Sequence, residues 1–248
     1  MSRFGQDSEK CKSWESGGEG FAKDFRSWGR DRMNAVAERL NQLLAEVGGA
    51  PLEADLASRF ERYLQLLMRW NRGMNLTSLR EEESILRRHF VESILCARAL
   101  PRGIESLLDF GSGAGFPGLP VAICRPEIAV TLAECQSKKA AFLREAVRTV
   151  GNRVNVYGGR AELLESRFGC VTLRAVDEMN KAVSLACRLV ERDGWIAVMT
   201  TREEKGSIVE SAESGDGGFE WKPLLPLPEG TKRGLLLGRR IISGEDAE

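Results

Sequence analysis

The sequence predicts an α/β fold in which helices cover both faces of a mostly parallel sheet. From Pro101 onward, short apolar runs alternate with amphipathic segments, a pattern typical of parallel βαβ units. A glycine-rich loop over residues 111–118 directly follows the apolar run Ser106–Phe110, and such a loop lets the backbone approach a ligand closely. Residues 31–100 carry only helical periodicity, so we expect a helical cap before the sheet.

The helices of the cap are predicted from apolar residues that recur at three and four positions. They are Asp31–Val47, about Glu53–Arg72 and about Glu81–Leu100, and the glycines and proline at 48–51 end the first of them. Residues 1–30 are rich in Gly, Ser, Lys and Glu and have weak apolar periodicity. They are therefore predicted to be a largely disordered extension.

Residues 101–248 are predicted to form the ligand-binding domain. Its strands are predicted at Ser106–Phe110, Ile128–Glu134, Arg153–Tyr157, Cys170–Arg174, Trp195–Thr200, Phe219–Leu225 and Gly234–Ile242. Its helices are predicted at Pro117–Cys124, Ser137–Val150, shortly after Arg160 and at Asn180–Glu191. Because no helix is predicted between the last two strands, we expect them to form an antiparallel pair at the edge of the sheet.

Composition restricts the classes of function. Lys+Arg and Asp+Glu both number 36, so the formal net charge is 0, and any nucleic-acid binding requires a local basic patch. The six cysteines are scattered without a C-x-x-C and there is one histidine, which argues against a metal site. Dispersed cysteines with no visible signal peptide are typical of reduced thiols in a cytoplasmic protein. No apolar run approaches the ~20 residues of a membrane span.

One side of the second helix is basic. Arg59, Arg62, Arg69 and Arg72 fall within a roughly 140° arc at 100° per residue. A solvated charged face explains such a set, and on this helix alone that interpretation is favoured. The alternative is a surface that contacts RNA phosphates.

The glycine loop contains two overlapping ligand-binding patterns. Gly111, Gly113 and Gly115 form G-x-G-x-G, whereas Gly113, Gly115 and Gly118 form the dinucleotide pattern G-x-G-x-x-G. The second pattern begins late in the loop, and Phe116-Pro117 places apolar bulk at the helix start. An uncharged or zwitterionic ligand is therefore favoured over a diphosphate.

Two acidic residues extend this interpretation. Asp109 stands near the end of the first strand, where it can hold an ammonium group directly or through water, and Glu134 closes the second strand. A carboxylate at the second position can accept both hydroxyls of a ribose. The combination suits S-adenosylmethionine. The structural alternative is that Asp109 caps the turn and Glu134 is a solvated strand end.

Several stretches in order resemble the RsmG (GidB) family of bacterial methyltransferases that act on small-subunit ribosomal RNA. The resemblance extends from about Glu53 to the C-terminus. The motifs that carry it are Trp70-Asn71-x-x-x-Asn75-Leu76-Thr77, Arg88-His89 with Ser93, Asp109-x-Gly111-x-Gly113-x-Gly115-Phe116-Pro117-Gly118-x-Pro120, Arg125-Pro126, Lys138-Lys139 with Phe142-Leu143, Arg160-Ala161-Glu162 and Arg174-Ala175.

The resemblance implies a Rossmann-like class I methyltransferase that uses S-adenosylmethionine and methylates N7 of a guanine in ribosomal RNA or the small subunit. By position, Gly111 and Phe116 would contact the cofactor, Ala161 and Glu162 would lie by the adenine, and Arg174 would line the active site as the catalytic candidate. Because RNA is then the expected substrate, contact with RNA phosphates is favoured over simple solvation for some members of one set of basic residues. Its members are Arg59, Arg62, Arg69, Arg72, Arg87, Arg88, Lys138 and Lys139.

The sequence also departs from the family pattern. Thr200 stands at the end of the fifth strand where the family usually has Lys, and Glu92 precedes Ser93 where the family favours Asp. His89, the one histidine, is interpreted as a packed hydrogen-bonding residue.

N7 of guanine carries no proton, so methyl transfer needs no general base, and Arg174 is a substrate-positioning or phosphate-binding candidate. The alternatives are a methyltransferase of the same fold with another substrate, an NAD(P)-linked oxidoreductase, and a non-catalytic binding protein.

Overall fold

The computed structural model describes residues 35–151, 153–214, 218–228 and 232–241. The extension predicted over residues 1–30 and the predicted start of the first helix at Asp31 lie outside these residues. The described chain opens in helix α1, at residues 35–46. The helix is followed by Gly48, which has a φ of +72°, a backbone conformation that favours glycine and ends helices.

Most predicted elements recur in the structure with small changes of boundary. The helix predicted to reach Glu191 ends at Cys187, and the strand predicted from Trp195 already begins at Val190. The helices are α2 (Ala54–Asn71), α3 (Glu82–Ile85), a π-helical segment (Leu86–Val91), α4 (Glu92–Ala99), α5 (Gly118–Cys124), α6 (Ser137–Val150), a 3₁₀ turn (Ala161–Leu163), α7 (Met179–Cys187) and α8 (Lys205–Glu213). The strands are β1 (Ser106–Phe110), β2 (Ala129–Ala133), β3 (Val154–Tyr157), β4 (Phe168–Arg174), β5 (Val190–Thr201), β6 (Phe219–Trp221), β7 (Leu225–Pro226) and β8 (Arg233–Arg240).

Helix α8 is absent from the elements that the sequence predicts. It contains a glycine and two serines, which have low helix propensity. Its buried residues Ile208 and Ala212 hold it against the sheet, and the hydroxyl of Ser184 in α7 donates to the carbonyl of Ser211 at 2.6 Å. Tertiary contacts therefore compensate for a sequence that does not favour a helix.

The sheet follows the order β3-β2-β1-β4-β5-β8-β6, with β7 also paired to β8. Strands β1 to β5 run parallel, and β8 is antiparallel to β5, β6 and β7. The expected antiparallel pair at the edge is thus confirmed, although the predicted strand Phe219–Leu225 is divided into β6 and the start of β7. The order differs from the 3-2-1-4-5-6 order of dinucleotide-binding sheets.

The register of the parallel strands brings their carboxyl ends to one edge. Phe110 of β1 lies beside Ala133 of β2 and Leu173 of β4, and Ala133 lies beside Tyr157 of β3. The segments that follow these strands therefore begin side by side, and a parallel sheet binds ligands at this edge.

The cap helices pack on one face of the sheet. Helix α2 contacts α5 and α6, and α4 contacts α5. One buried apolar cluster contains Tyr63 and Phe90 of the cap together with Leu107 of β1 and Phe142 of α6. A second cluster joins the opposite face to α7 and α8. The cap thus shares its core with the sheet, and the division into a cap at 31–100 and a ligand-binding domain at 101–248 stays a prediction.

Candidate functional site

A cavity of about 520 Å³ opens at the carboxyl edge of the sheet. Five groups of residues line it: the glycine loop after β1, the segment after β2, the 3₁₀ turn after β3, the loop between β4 and α7, and one side of α7 itself. Leu76, Thr77, Ser78 and His89 of the cap close its remaining side. A volume of this size is typical of small-molecule and cofactor sites.

The alternating glycines of the loop all have left-handed backbones, with φ of +74° at Gly111, +56° at Gly113 and +95° at Gly115. A Cβ at Gly113 would meet only the Gly111 carbonyl oxygen, at 4.0 Å, whereas a Cβ at Gly115 would lie 2.7 Å from the Tyr63 hydroxyl. Gly111, Gly113 and Phe116 line the cavity, whereas Gly115 faces the core and does not line it. Gly113 therefore leaves open the space that a ligand needs.

Asp109 lies beneath the loop. Its carboxylate accepts hydrogen bonds from the Gly118 N–H at 3.1 Å and from the Thr172 hydroxyl at 3.0 Å, and the residue is 1% exposed. Burial raises the pKa of Asp109 to about 6. Asp109 is absent from the residues that line the cavity. The structure therefore places it as the turn-capping residue that joins β1, β4 and the start of α5.

Glu134 lies in the cavity wall with a fixed carboxylate. One oxygen accepts from the Gly113 N–H at 3.0 Å and the other from the Gln136 N–H at 2.7 Å. Each oxygen keeps a further lone pair for a hydroxyl group. Ala161 and Glu162 of the 3₁₀ turn line the same cavity, and the Glu162 carboxylate pairs with Arg160 at 3.3 Å.

Arg174, the last residue of β4, is anchored to α4 and lines the cavity. Its Nη1 donates to the Ser93 hydroxyl at 3.4 Å, and its Nη2 donates to a Glu92 carboxylate oxygen at 3.0 Å and to the Arg88 carbonyl. Burial lowers the pKa of Arg174, although an arginine stays protonated in proteins. The other Glu92 oxygen accepts from Arg233. Within the part of the chain that the structure describes, the Nε–H and one Nη1 proton of Arg174 have no partner, so both are available to a ligand.

The predicted basic set is divided. Lys139 lines the cavity, Arg88 is exposed beside the cavity residue His89, and Arg72 and Lys138 are exposed. The remaining four make contacts within the protein. Their partners are Asp55 for Arg59 (2.8 Å), Ser58 (2.9 Å) and Thr149 (3.2 Å) for Arg62, Glu145 for Arg69, and Glu83 (2.7 Å) and Glu46 (2.9 Å) for Arg87.

The chain matches the family model described as GidB, rRNA small subunit methyltransferase G, over residues 56–215. The chain belongs to the GidB family. A protein from Pelotomaculum thermopropionicum named Ribosomal RNA small subunit methyltransferase G is 37% identical over 228 residues, which cover 87% of this chain and 94% of that protein. One of the same name from Neisseria meningitidis is 36% identical over 173 residues, covering 69% and 83%.

The fold of this GidB chain is also that of known methyltransferases. The crystal structure of M. jannaschii TYW2 in complex with AdoMet matches with a TM-score of 0.50 and 13% identity, covering 62% of this chain and 77% of that chain. At such low identity the likeness establishes the fold alone. The prediction of a Rossmann-like class I methyltransferase fold is confirmed.

His89 lies in the cavity wall and makes two specific contacts there, which its position in the sequence does not indicate. Its Nε2 lies 2.7 Å from the Thr77 hydroxyl oxygen, and its ring stacks on Phe116 with centroids 4.8 Å apart. Burial, with the charges of Arg174 and Arg88, lowers the pKa of His89 to about 3. The ring is therefore neutral at physiological pH. The Arg88-His89 motif is the one feature of the sequence that points to this residue. The motif alone does not show whether the histidine packs in the core or lines the cavity.

Tyr63 is a second residue that the sequence does not single out. Its hydroxyl donates to the Ala114 carbonyl of the glycine loop, and it is fully buried. Burial raises the pKa of Tyr63 well above its ordinary value, so the group remains a donor. In the sequence Tyr63 is one more large residue on the buried side of a helix, and no local signal marks it.

Thr200 marks the departure from the GidB pattern at the end of β5. It is 5% exposed, and its hydroxyl donates to a Glu204 carboxylate oxygen at 3.0 Å. The same oxygen accepts from the Thr201 N–H at 3.2 Å. Thr200 does not line the cavity. In this chain the position helps fix the start of α8.

Within the described ranges there is no cluster of three or more potential metal-ligating His, Cys, Asp or Glu residues. The same part of the chain contains no helix long and apolar enough to cross a membrane. Cys96, Cys124, Cys135, Cys170 and Cys187 are free thiols.

Proposed function

We propose that this chain transfers the methyl group of S-adenosylmethionine to N7 of a guanine in small-subunit ribosomal RNA. The observation that carries the proposal is the meeting of three groups at one cavity in a GidB-family chain. They are the open face of Gly113, the fixed carboxylate of Glu134 and the anchored guanidinium of Arg174.

The residues in the cavity fit the cofactor. We place the amino-acid end of S-adenosylmethionine against the backbone of Gly111 and Gly113, where no side chain intrudes. Glu134 then accepts the ribose hydroxyls with its remaining lone pairs. The adenine lies by Ala161 and Glu162. Asp109 and Gly115 act from beneath the loop, since they support its conformation and do not reach the cavity.

The chemistry of the acceptor matches the side chains that are present. N7 of guanine has a free lone pair and no proton to lose, so the transfer requires position more than acid–base catalysis. The bound cofactor supplies a methyl group activated by sulfonium charge. The protein must hold the reacting atoms ~3–3.5 Å apart and in line. Arg174 is suited to hold an acceptor atom of the target nucleotide, because its position is set by Ser93 and Glu92.

RNA contact is proposed for the basic residues at or near the cavity. Lys139 lines the cavity wall, and Arg88, Arg72 and Lys138 expose their side chains. Arg59, Arg62, Arg69 and Arg87 already hold protein groups, so they are expected to contribute less to phosphate binding. The substrate is ribosomal RNA, free or in the small subunit, which places the reaction in the cytoplasm.

The proposal is tested with labelled S-adenosylmethionine and small subunits or naked ribosomal RNA that lack the modification. We expect label on N7 of one guanine in the RNA. Label on a small molecule or a protein, with none on RNA, would support the same-fold alternative and overturn the proposal. Calorimetry with S-adenosylhomocysteine and NAD tests the cofactor separately, since tighter binding of NAD would favour the oxidoreductase alternative.

A further inference from the structure

Glu92 is a buried carboxylate that two arginines share. Its side chain is 3% exposed, and each oxygen accepts from a different guanidinium: Oε2 from Nη2 of Arg174 at 3.0 Å, and Oε1 from Nη2 of Arg233. The contact with Arg233 joins α4 of the cap to β8, the strand antiparallel to β5. One carboxylate therefore connects a cavity residue to a strand that has no part in the proposed function.

The pair between Arg174 and Glu92 uses a single hydrogen bond. An arginine and a carboxylate frequently form two parallel bonds, whereas here one N–H of Arg174 contacts one oxygen of Glu92. The other Nη2 proton is donated to the Arg88 carbonyl, and Nη1 donates to the Ser93 hydroxyl. The Nε–H and the second Nη1 proton are therefore the donors that Arg174 has available for a ligand.

Arg233 accounts for the missing second bond. It donates to Oε1, the oxygen that Arg174 would need for a two-point pair. Losing a charged donor is costly for a buried carboxylate. Without Arg233, the Glu92 carboxylate is expected to turn toward Arg174 and to accept a second N–H from it. The donors available for that bond are the same ones that a ligand would use.

We infer that Arg233 is a positioning residue for the methyl transfer: by holding one oxygen of Glu92, it keeps two donors of Arg174 available to the target nucleotide. The inference rests on the proposed function, in which Arg174 holds an acceptor atom of that nucleotide. Arg233 does not line the cavity, so it acts through Glu92 and Arg174. Two guanidinium groups against one carboxylate also leave a net positive charge, which favours an electron-rich acceptor.

The first test compares matched variants on one strand. Arg233→Met keeps an apolar stem but cannot donate, and its single-turnover rate of RNA methylation should fall by at least about 10-fold, because a reacting group is misplaced. Arg239→Met is the control, since Arg239 also lies on β8 and forms an ion pair, with Asp193 at 3.2 Å, outside the cavity lining. Its rate should match wild type. Arg233→Lys keeps a charged donor and should recover most of the rate.

A second substitution separates positioning from a structural role. Glutamine has one side-chain oxygen and an amino group that cannot accept, so Glu92→Gln cannot form the two-point pair with Arg174. Adding Glu92→Gln to Arg233→Met should therefore raise the rate above that of Arg233→Met alone. Binding of S-adenosylhomocysteine, measured by calorimetry, should persist in every variant and shows that each is folded. A wild-type rate in Arg233→Met, or a further loss in the double variant, would overturn the inference.

Crystal structures test the same inference without methyl transfer. With S-adenosylhomocysteine bound, Arg174 and Glu92 should be joined by two hydrogen bonds in Arg233→Met and by one in wild type. A single bond in both structures would show that Arg233 does not control the pair. If the wild-type chain methylates no RNA, the proposed function fails, and the two structures alone decide whether Arg233 holds the donors of Arg174 free.

Discussion

The Tyr63 hydroxyl donates a hydrogen bond to the Ala114 carbonyl, so a residue of the cap holds the glycine loop of the sheet domain. The Tyr63 ring also stacks on Phe116, with centroids 5.2 Å apart, and its hydroxyl occupies the space beneath Gly115. A loop that must present its backbone to a ligand is thereby supported from the side opposite the cavity. The cap therefore supports the proposed cofactor site as well as offering a candidate RNA surface.

Tyr63→Phe is expected to weaken cofactor binding several-fold. The ring and its packing remain, but the buried Ala114 carbonyl loses its donor, which costs about 1–3 kcal/mol. A less constrained loop must then be ordered when the ligand binds. Calorimetry with S-adenosylhomocysteine measures the affinity, and urea unfolding measures the stability. Tyr157→Phe removes a tyrosine hydroxyl outside the cavity lining and should leave the affinity unchanged; an equal loss in both variants would contradict a specific role for Tyr63.

Gly113→Val is expected to abolish cofactor binding. Its φ of +56° strains any branched residue, and the new side chain would enter the cavity. Gly103→Val is the matched control, because Gly103 has a φ of +84°, a Cβ there would have no atom within 4 Å, and the residue lies outside the cavity lining. Both variants should lose about 1–2 kcal/mol of stability. Only Gly113→Val should lose the calorimetric signal of S-adenosylhomocysteine, and wild-type affinity in that variant would refute the placement.

Much of the fold is accessible from the sequence because burial in a parallel sheet requires continuous apolar strands. Ser106–Phe110 and Ser137–Val150 are predicted with their observed bounds. Glu134 is predicted at the ligand-binding edge for a similar reason, since the end of a parallel strand has a defined location. Helix α8 is not predicted from the sequence, because its stability comes from tertiary contacts such as the hydrogen bond from the Ser184 hydroxyl to the Ser211 carbonyl.

The candidate site is harder to predict from the sequence than the fold, because the direction of each side chain depends on its tertiary partners. Asp109 and Glu134 occupy similar positions at strand ends, yet one carboxylate binds Gly118 and Thr172 beneath the loop and the other lies in the cavity. No pattern in the sequence distinguishes these two outcomes. Likewise, the partner of His89 is a threonine twelve positions earlier, which becomes a neighbour only when the turn after α2 folds back on the next helix.

Arg174→Ala is expected to reduce methyl transfer about 100-fold while cofactor affinity stays within a few-fold of wild type. The fold should persist, because the Glu92 carboxylate keeps its ion pair with Arg233. Arg174→Lys should restore little activity, since one ammonium cannot reproduce the planar fork that contacts Ser93, Glu92 and the Arg88 carbonyl. Single-turnover kinetics and circular dichroism test the two parts, and unchanged turnover in Arg174→Ala would remove the residue from the site.

The titration of His89 is directly observable because it is the one histidine in the chain. Its folded pKa is about 3, against 6.5 for the free side chain, so its Cε1 proton resonance should not shift between pH 8 and pH 5. The unfolded chain takes up a proton in this range and the folded chain does not, so stability must fall as the pH falls below 6.5. The loss is about 2 kcal/mol between pH 7 and pH 5. Urea unfolding of His89→Phe should lack this component, and an imidazole that titrates near pH 6.5 would contradict the buried neutral ring.

Lys139→Gln is expected to weaken RNA binding and to reduce the slope of log affinity against log salt concentration by about 0.7–0.9, the value for one phosphate contact. Lys139 lies at the cavity wall, where the RNA backbone must pass if a guanine is to reach the cofactor. Lys222→Gln is the control of equal charge change, because Lys222 lies over the Trp195 ring at 4.6 Å from its centroid and outside the cavity lining. Equal slopes in the two variants would mean that net charge, and not position at the cavity, governs RNA affinity. Arg59→Gln is a third comparison. Because Arg59 is already paired with Asp55, we expect its substitution to change the slope less than Lys139→Gln does. A change of a full unit would show instead that α2 is an RNA-binding face.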